Sequence, residues 1–492
     1  MNPARQDREA LLAAAATALQ DGEDAAVRAG LERVLRAKPD DELALHWYAL
    51  LLRAANDRAV ALRALEKGGA ARTTNPGLAQ LYAQIVLEAG LPAEDWFERA
   101  VALAPGNGDV RLGLGSARFA AGNGGAARNE LASLLAGNPG WEAGHRQYAH
   151  LSALLGDAQH GLFTLDRALS AHPDAGGLHL LAIDLLRSAE RFDAMLERVD
   201  AALARFGDTA ELQLNRAIAL DSTGRTHLAA PIFHSLGQAR QPHHAIARLR
   251  HLLRAGDAPG AARELEPWIA TAGAEAFWPY AALAWRLTDD SRAQWLEGQD
   301  GLHRVIDLDP AELQLDALAA HLRGLHEGAG RFLDQSVRGG TQTDGPLLAR
   351  LDPVIVNLHR VLAEAVGNHV RQLPAADPSH PVLRERRDRA VRFAGSWSVR
   401  LEGAGFHASH HHPQGWISSA LYVAVPSGLG GDDGRLALGE SPADLGLGLP
   451  PRVVIEPRPG RLVLFPSTMW HGTRPFGAGE RMTVAFDVAR TC

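Results

Sequence analysis

The chain has little of the residues that define secreted and membrane proteins. Its one cysteine among 492 residues, Cys492, excludes an intrachain disulfide framework or thiolate cluster and fits a reducing compartment. No apolar run reaches the roughly 18 residues that span a bilayer. The first 25 residues lack a cationic start followed by an apolar core, so we expect no signal peptide and a cytoplasmic location.

Strong charge of one sign is also missing. The formal net charge is -7 and the pI about 6.3, which argues against a nucleic-acid or anionic-membrane partner. The sequence contains no Walker loop, no GxSxG and no HExxH motif, so the common nucleotide, serine-hydrolase and zinc-protease signatures are excluded.

The first ~290 residues are rich in alanine, leucine and arginine, a composition that favours helix. Pro105, Pro139 and Pro173 lie 34 residues apart, and Gly207 follows at the same interval. Each lies in a short polar turn after a helical stretch. This period resembles the tetratricopeptide repeat, and Gly115 and Ala127 lie where that repeat takes small residues. The resemblance predicts an all-α solenoid of about seven units over 1–290, with a concave surface.

The pattern of apolar and polar residues changes after about residue 290. Four tryptophans between 268 and 295 predict a core where the solenoid docks on the next domain. A strand is expected at 305–308, with amphipathic helices near 311–326 and 353–373 and a polar glycine loop at 335–343. From Phe393 onward, short strand patterns alternate with glycine- and proline-rich turns, which indicates a sandwich or barrel over 300–492.

The residues that carry chemistry follow one another near the C-terminus. If Ser409 to His412 is extended, His410 and His412 point to the same face. His471 follows a strand pattern, and Arg481 and Thr483 share a face of the final strand. Oxygen activation needs Fe(II) held on one face by three ligands, with positions left open for a keto acid and oxygen. A guanidinium suits the far carboxylate of that acid, because it pairs bidentately.

These motifs, in this order and spacing, resemble the 2-oxoglutarate/Fe(II) oxygenases of the double-stranded β-helix (jelly-roll or cupin-like) fold. The stretches that carry the resemblance are His410-His411-His412-Pro413, Ser418-Ser419-Ala420-Leu421-Tyr422, and Phe465-Pro466-Ser467 with His471 and Arg481. The resemblance implies that Fe(II) and 2-oxoglutarate are the cofactors. It also implies that His410, His412 and His471 bind the iron and that Arg481, with Thr483, anchors 2-oxoglutarate.

One ligand departs from the commonest form of the superfamily, which reads His-x-Asp…His. This chain offers His412 instead, and three neutral ligands would leave more positive charge on the iron. Either His412 binds, or the site keeps an open position. Asp432, Asp433 and Glu440 are alternative carboxylates, although a glycine-rich loop favours solvated turn residues there.

Other residues near the motifs leave alternatives open. Tyr422 either reaches 2-oxoglutarate or packs as a core aromatic, and Arg400 either lines the cofactor site or is an edge charge. His407 and His411 are interpreted as neighbours of the ligands. The loop at 338–342 either covers the iron site or forms an ordinary turn.

The sequence thus favours an oxygenase that hydroxylates a peptide or protein recruited by the repeats, although the role of the repeats is fold-level analogy. Two alternatives remain: a non-catalytic repeat adaptor with a relic oxygenase domain, and a cupin-type metal enzyme that does not use 2-oxoglutarate. The pair Arg481 and Thr483 separates the oxygenase from the cupin-type enzyme.

Overall fold

The computed structural model describes residues 3–22, 24–271, 273–326 and 336–491. Gln335 of the expected loop and Cys492 lie outside these residues. Within them, the first strand begins at Arg304, so everything earlier is helix, turn or loop. No helix in these ranges combines the length and the apolar character that crossing a membrane requires.

The helices of the N-terminal region pair into antiparallel hairpins. Their bounds are α1 (Pro3–Asp21), α2 (Ala25–Ala37), α3 (Glu42–Ala54), α4 (Arg58–Lys67), α5 (Pro76–Glu88), α6 (Glu94–Leu103), α7 (Gly108–Ala120), α8 (Gly124–Gly137), α9 (Glu142–Leu154), α10 (Phe163–Ala171), α11 (Gly176–Ser188), α12 (Phe192–Phe206), α13 (Ala210–Ser222), α14 (Thr226–Leu236), α15 (Pro242–Arg254), α16 (Ala258–Ile269), α17 (Trp278–Leu287) and α18 (Arg292–Glu297).

The proline turns set the start of each repeat. The first helices α7, α9, α11 and α13 begin 34 residues apart, each just after a turn of the predicted series. Local capping explains the boundary: the Asn107 side chain accepts hydrogen bonds from the N–H groups of Asp109 and Val110. The prediction that Gly115 lies where the two helices approach closely was wrong. A Cβ on Gly115 would meet open space, whereas one on Gly113 would lie 2.2 Å from Phe97, so Gly113 is where the helices approach.

The C-terminal region is built on two antiparallel sheets. Its elements are β1 (Arg304–Asp307), α19 (Pro310–Leu313), α20 (Leu315–Leu325), β2 (Val337–Gln342), α21 (Pro353–Arg371), β3 (Phe393–His407), β4 (Gly415–Ala424), β5 (Leu436–Leu438), β6 (Val453–Ile455), β7 (Arg461–Pro466), β8 (His471–Thr473) and β9 (Glu480–Ala489).

The larger sheet has the strand order β1-β7-β4-β9-β3-β2, and the smaller has the order β6-β5-β8. Tyr422, Val463 and Phe465 of the larger sheet pack against Leu436 and Leu438 of the smaller one. The other face of the larger sheet packs on α20 and α21 through a second apolar core. This is the sandwich that the alternating strand patterns predicted, and the described strands do not close into a barrel.

Residues 337–342 of the expected loop at 335–343 instead form strand β2. It pairs with β3 at the sheet edge, with Thr341 opposite Arg400. The glycines form a bulge in the strand: Gly339 has φ +69, and a Cβ on Gly340 would lie 2.3 Å from the Arg400 carbonyl oxygen. Pairing with a neighbour that is distant in sequence overrode the turn-forming composition.

The sheet domain contacts the repeats at both ends of the array. Near the N-terminus, the Asn56 side chain bonds both the N–H and the carbonyl of Phe393. Near α17, the Trp470 indole donates to the Pro279 carbonyl at 2.9 Å. In the middle, Arg338 of β2 pairs with Glu190 at 2.6 Å. The array therefore curves along the sheet domain.

The tryptophans after residue 265 form the predicted docking core. Trp278 packs edge-on against Trp285 and Trp295, in a cluster that also contains Trp470 of the sheet domain. The last helix of the array ends at Glu297 and the first strand begins at Arg304. We propose that the boundary between the two domains lies between these residues, close to the predicted 290–300.

Candidate metal and cosubstrate site

Three histidines meet between the two sheets. His410 follows β3, His412 precedes β4 and His471 begins β8, and each offers a ring nitrogen within 4.8 Å of the others. Backbone hydrogen bonds in both directions between His410 and His471, at 2.9 and 2.8 Å, hold the two segments together. His471, which lies 61 positions after His410 and 59 after His412, is thus placed beside them on one side of a shared cavity.

The ring orientations leave the same nitrogen facing the cluster. His410 donates its Nδ1–H to the Ala408 carbonyl at 2.8 Å, and His471 donates its Nδ1–H to the Met469 carbonyl at 3.0 Å. A carbonyl oxygen can only accept, so Nε2 of each ring carries the lone pair. The Ser336 hydroxyl lies 3.2 Å from the His410 Nε2. Two imidazoles are therefore oriented by main-chain atoms for binding a cation.

Burial keeps these rings neutral. It lowers the pKa of His410 and of His471 well below the ordinary value, and the neighbouring imidazoles lower both further. A neutral imidazole is the form that binds a metal ion. His410 and His471 are therefore in the protonation state that metal binding requires.

Arg481 lines the same cavity, and two of its guanidinium nitrogens have no partner among the described residues. Its side chain is 1% exposed, and among the described residues neither Nε nor Nη1 has a hydrogen-bond partner. Its guanidinium carbon lies 4.9 Å from the Tyr422 ring centroid. A buried guanidinium without an acceptor is costly, so the arrangement suits an anionic ligand that enters the cavity.

The two residues predicted to assist Arg481 lie beside it. Thr483 lines the cavity two residues further along β9, and Tyr422 lies opposite Thr483 on β4. The Tyr422 ring is fully buried in the core between the sheets, yet its hydroxyl has no partner in the described part of the chain. Tyr422 thus combines core packing with an unsatisfied polar group.

The prediction that Arg400 lines the cofactor site is wrong. In the β3–β9 register, Leu401 lies opposite Arg481 and Arg400 lies opposite Met482, so Arg400 is on the other face of the sheet. There it pairs with Glu480 at 2.7 Å. The alternative of an edge charge holds only in part: side chains alternate along a strand, so Arg400 points away from the cavity, but β3 lies between β9 and β2 and is not an edge strand.

The side chains of the two neighbouring histidines, His407 and His411, point in different directions. His407 lines the cavity, its Nδ1 3.2 Å from the Thr473 hydroxyl, and burial lowers its pKa to about 3. His411 points away toward the repeats and packs edge-on against Trp470 and Tyr280 of α17. Burial lowers the pKa of His411 to about 3 as well.

The alternative carboxylates do not join the cluster. Among the described residues, the three histidines alone form a group with ligand spacing. Glu440 pairs with Arg474 at 2.8 Å, and the Asp432 side chain is 74% exposed. Asp433 lies in the exposed turn beside Asp432.

Sequence reasoning missed Asp487, whose carboxylate lies 2.8 Å from the Nδ1 of His412. The signal was present: Arg481, Thr483, Ala485 and Asp487 alternate along one strand, so they share a face. The same parity that paired Thr483 with Arg481 extends to Asp487.

The residues present fit Fe(II) and 2-oxoglutarate. Imidazole nitrogens are ligands that iron accepts, and a cluster of three leaves room for further ligands on the open side. The unpartnered Arg481 guanidinium matches the carboxylate of a dicarboxylic acid. Both features line one cavity of ≈ 50 Å³ together with Trp397 and Phe465.

Comparison with known proteins matches the two regions to two families. Residues 395–487 match the family described as "Putative 2OG-Fe(II) oxygenase", and residues 93–155 match the tetratricopeptide repeat. A search of curated proteins found no match.

Several solved structures resemble parts of the chain. A prolyl-4-hydroxylase from Pseudomonas putida is 19% identical and covers 38% of this chain and 92% of its own, with a TM-score of 0.26. An oxidoreductase of the 2OG-Fe(II) oxygenase family from Burkholderia pseudomallei is 16% identical, covering 41% and 90%, with a TM-score of 0.27. A tetratricopeptide repeat protein from Parabacteroides merdae is 16% identical, covering 49% and 97%, with a TM-score of 0.31.

Repeats of the tetratricopeptide type generally mediate binding of proteins or peptides. The family matches agree with the period of the helices and with the motifs on the strands. The chain therefore has a region of paired helices, of which residues 93–155 match the tetratricopeptide repeat, followed by an antiparallel sheet domain whose residues 395–487 match the family of putative 2OG-Fe(II) oxygenases.

Proposed function

We propose that the protein is an Fe(II)- and 2-oxoglutarate-dependent hydroxylase whose substrate is a peptide or protein. In this proposal His410, His412 and His471 bind the iron. Arg481 binds the far carboxylate of 2-oxoglutarate, and Thr483 donates a further hydrogen bond to it.

The observation that carries the proposal is the buried Arg481 beside the histidine cluster, whose Nε and Nη1 find no partner in the described part of the chain. A metal-binding protein of another kind has no need for a buried cation near its metal, because the two positive charges repel each other. A dicarboxylate that binds the metal at one end and the guanidinium at the other satisfies both groups. This favours the oxygenase over the cupin-type enzyme and over a relic domain.

When bound, the metal and 2-oxoglutarate would supply the chemistry that uses O2: one oxygen atom would enter succinate as 2-oxoglutarate loses CO2, and the other would convert a substrate C–H bond to C–OH. The protein's own residues orient and enclose the reactants. His410 and His471 are held by main-chain carbonyls, so their lone pairs are positioned before any ligand enters. Phe465 and Trp397 provide apolar walls that limit water in the cavity.

The route from the repeats to the cavity supports a polypeptide substrate. Ser336 lies at the cavity, two residues before Arg338, which pairs with Glu190 in the turn between α11 and α12. A chain bound along the middle repeats would therefore come close to the open side of the site. This is the support for a peptide rather than a small metabolite.

An anaerobic titration of the full-length protein with Fe(II) and 2-oxoglutarate tests the proposal. We expect a weak visible charge-transfer band only when both are present, and succinate on admission of oxygen. In Arg481→Ala, the apparent 2-oxoglutarate requirement should rise roughly ten- to a hundred-fold, because a charge-assisted bond is worth about 1.5–3 kcal/mol. Iron binding without 2-oxoglutarate should change little.

The matched variant His471→Ala should do the reverse and lose iron first. Equal loss of iron in both variants would make Arg481 a structural residue. Iron binding without any response to 2-oxoglutarate would favour the cupin-type enzyme, and absence of iron binding would favour the adaptor.

A further inference from the structure

Asp487 has a position that the ligand assignments leave unexplained. Both of its carboxylate oxygens lie close to the Nδ1 of His412, at 2.9 and 2.8 Å. The Ser418 hydroxyl donates to the same carboxylate at 2.5 Å. Within the described residues, the carboxylate makes no ion pair with an arginine or lysine. Its negative charge is thus directed at one imidazole.

We propose, resting on the proposed function, that Asp487 is a positioning residue that lets a histidine serve where the commoner His-x-Asp form has a carboxylate ligand. An ionised carboxylate only accepts hydrogen bonds, so the His412 Nδ1 carries the proton and Nε2 presents its lone pair. The ring orientation then matches those of His410 and His471.

The three histidines differ in what holds them. Main-chain carbonyls orient His410 and His471, and no side-chain substitution removes a carbonyl. His412 is oriented by a side chain. The affinity of the site for metal should therefore be sensitive to Asp487 through His412.

Charge gives a second reason. Three neutral imidazoles do not offset the charge of a divalent cation, and the cavity already holds the Arg481 guanidinium. Asp487 supplies one negative charge next to the site, because its carboxylate is hydrogen-bonded to His412 and does not contact the metal position itself. The negative charge that a carboxylate ligand would supply directly is thus retained behind the imidazole.

A purely structural role for Asp487 makes different predictions. Ser418 also bonds Ser467 at 3.0 Å, so Asp487 contributes to a network joining β9, β4 and the end of β7. If this network were the whole role, removing the charge would lower the stability of the metal-free protein and leave its metal affinity unchanged.

The test is to measure Co(II) binding to the full-length protein in the absence of 2-oxoglutarate. Calorimetry gives the affinity, and the visible Co(II) spectrum reports the coordination of the metal. Asp487→Asn keeps an acceptor for Ser418 but removes the charge. We expect it to weaken Co(II) binding about 10- to 100-fold. The unfolding temperature of the metal-free protein should change little.

Two controls separate positioning from folding. Glu385→Gln removes the charge of another buried carboxylate, one that bonds Arg490 and Thr491, and this variant should bind Co(II) like the parent. In the His412→Ala background, Asp487→Asn should cause no further loss, because its effect passes through His412.

Parent-like Co(II) affinity in Asp487→Asn would overturn the inference, as would an undiminished loss in the His412→Ala background. Tight Co(II) binding by the parent with no response to 2-oxoglutarate would instead overturn the proposed function and leave the role of Asp487 standing. The two failures are therefore distinguishable.

Discussion

The repeats and the sheet domain differ in whether their buried charged side chains have partners of opposite charge. In the repeats, Glu88 is held by Arg53 at 2.5 Å and by Arg58 at 3.0 Å. In the sheet domain, Arg481 is as deeply buried, yet no partner for its Nε or Nη1 lies among the described residues.

The difference separates charges that stabilise the fold from charges kept for a ligand. A paired buried charge is costly to break, because its partner is left behind without compensation. A buried charge that has no partner costs stability until a ligand arrives. The two regions should therefore respond to substitution with opposite signs.

The largest effect is expected in the repeats. Glu88→Ala should lower the free energy of unfolding by about 3 kcal/mol, since it leaves Arg58 buried and unpaired while Arg53 can turn to solvent. Urea unfolding followed by circular dichroism measures the loss. The control Glu32→Ala removes the exposed pair with Arg36 and should leave the midpoint unchanged. Equal midpoints for the two variants would break the comparison.

A change of opposite sign is expected at Arg481. Without 2-oxoglutarate, Arg481→Met should unfold at the same or a higher temperature, because it removes an unsatisfied group that costs about 1–3 kcal/mol. When both proteins already hold metal, adding 2-oxoglutarate should raise the unfolding temperature of the parent more than that of Arg481→Met. Arg490→Met is the control, and it should be destabilising because Arg490 pairs with the buried Glu385. A loss in Arg481→Met as large as in the control would contradict the distinction.

The smallest effect concerns pH in the sheet domain. Burial, and secondarily the charge of Arg304, lowers the pKa of His369 to about 4, against an ordinary value of 6.5. Between those values the unfolded chain binds more protons, so stability falls as pH falls through that window. From pH 7 to 5.5 this group should account for about 1 kcal/mol of lost stability.

His369→Leu should make the pH dependence shallower by that amount, measured by urea unfolding at several pH values. Measurements at pH 8 serve as the reference, because His369 is neutral in both states there. Parallel curves for the variant and the parent would show that His369 does not contribute.

Local features of the sequence were enough for much of the fold. The helix starts follow from the proline turns, and at α7 and α13 also from the capping side chains of Asn107 and Thr209, because these features act within a few residues of one another. The amphipathic pattern of α21 and the apolar strand patterns of β4, β7 and β9 were equally readable. Short strands such as β5 and β8 escaped, because each has only three residues and pairs with distant ones.

For the site, the sequence alone determined which residue types were available and which of them share a face, as with Arg481 and Thr483 on one strand. The tertiary structure decided which neighbouring elements each strand face contacts. It placed Arg400 behind the sheet, turned 337–342 into an edge strand, set Asp487 behind His412 and laid the repeats along the sheet domain. Each of these depends on pairing between residues far apart in the chain, and alternation within one strand carries no information about its neighbours.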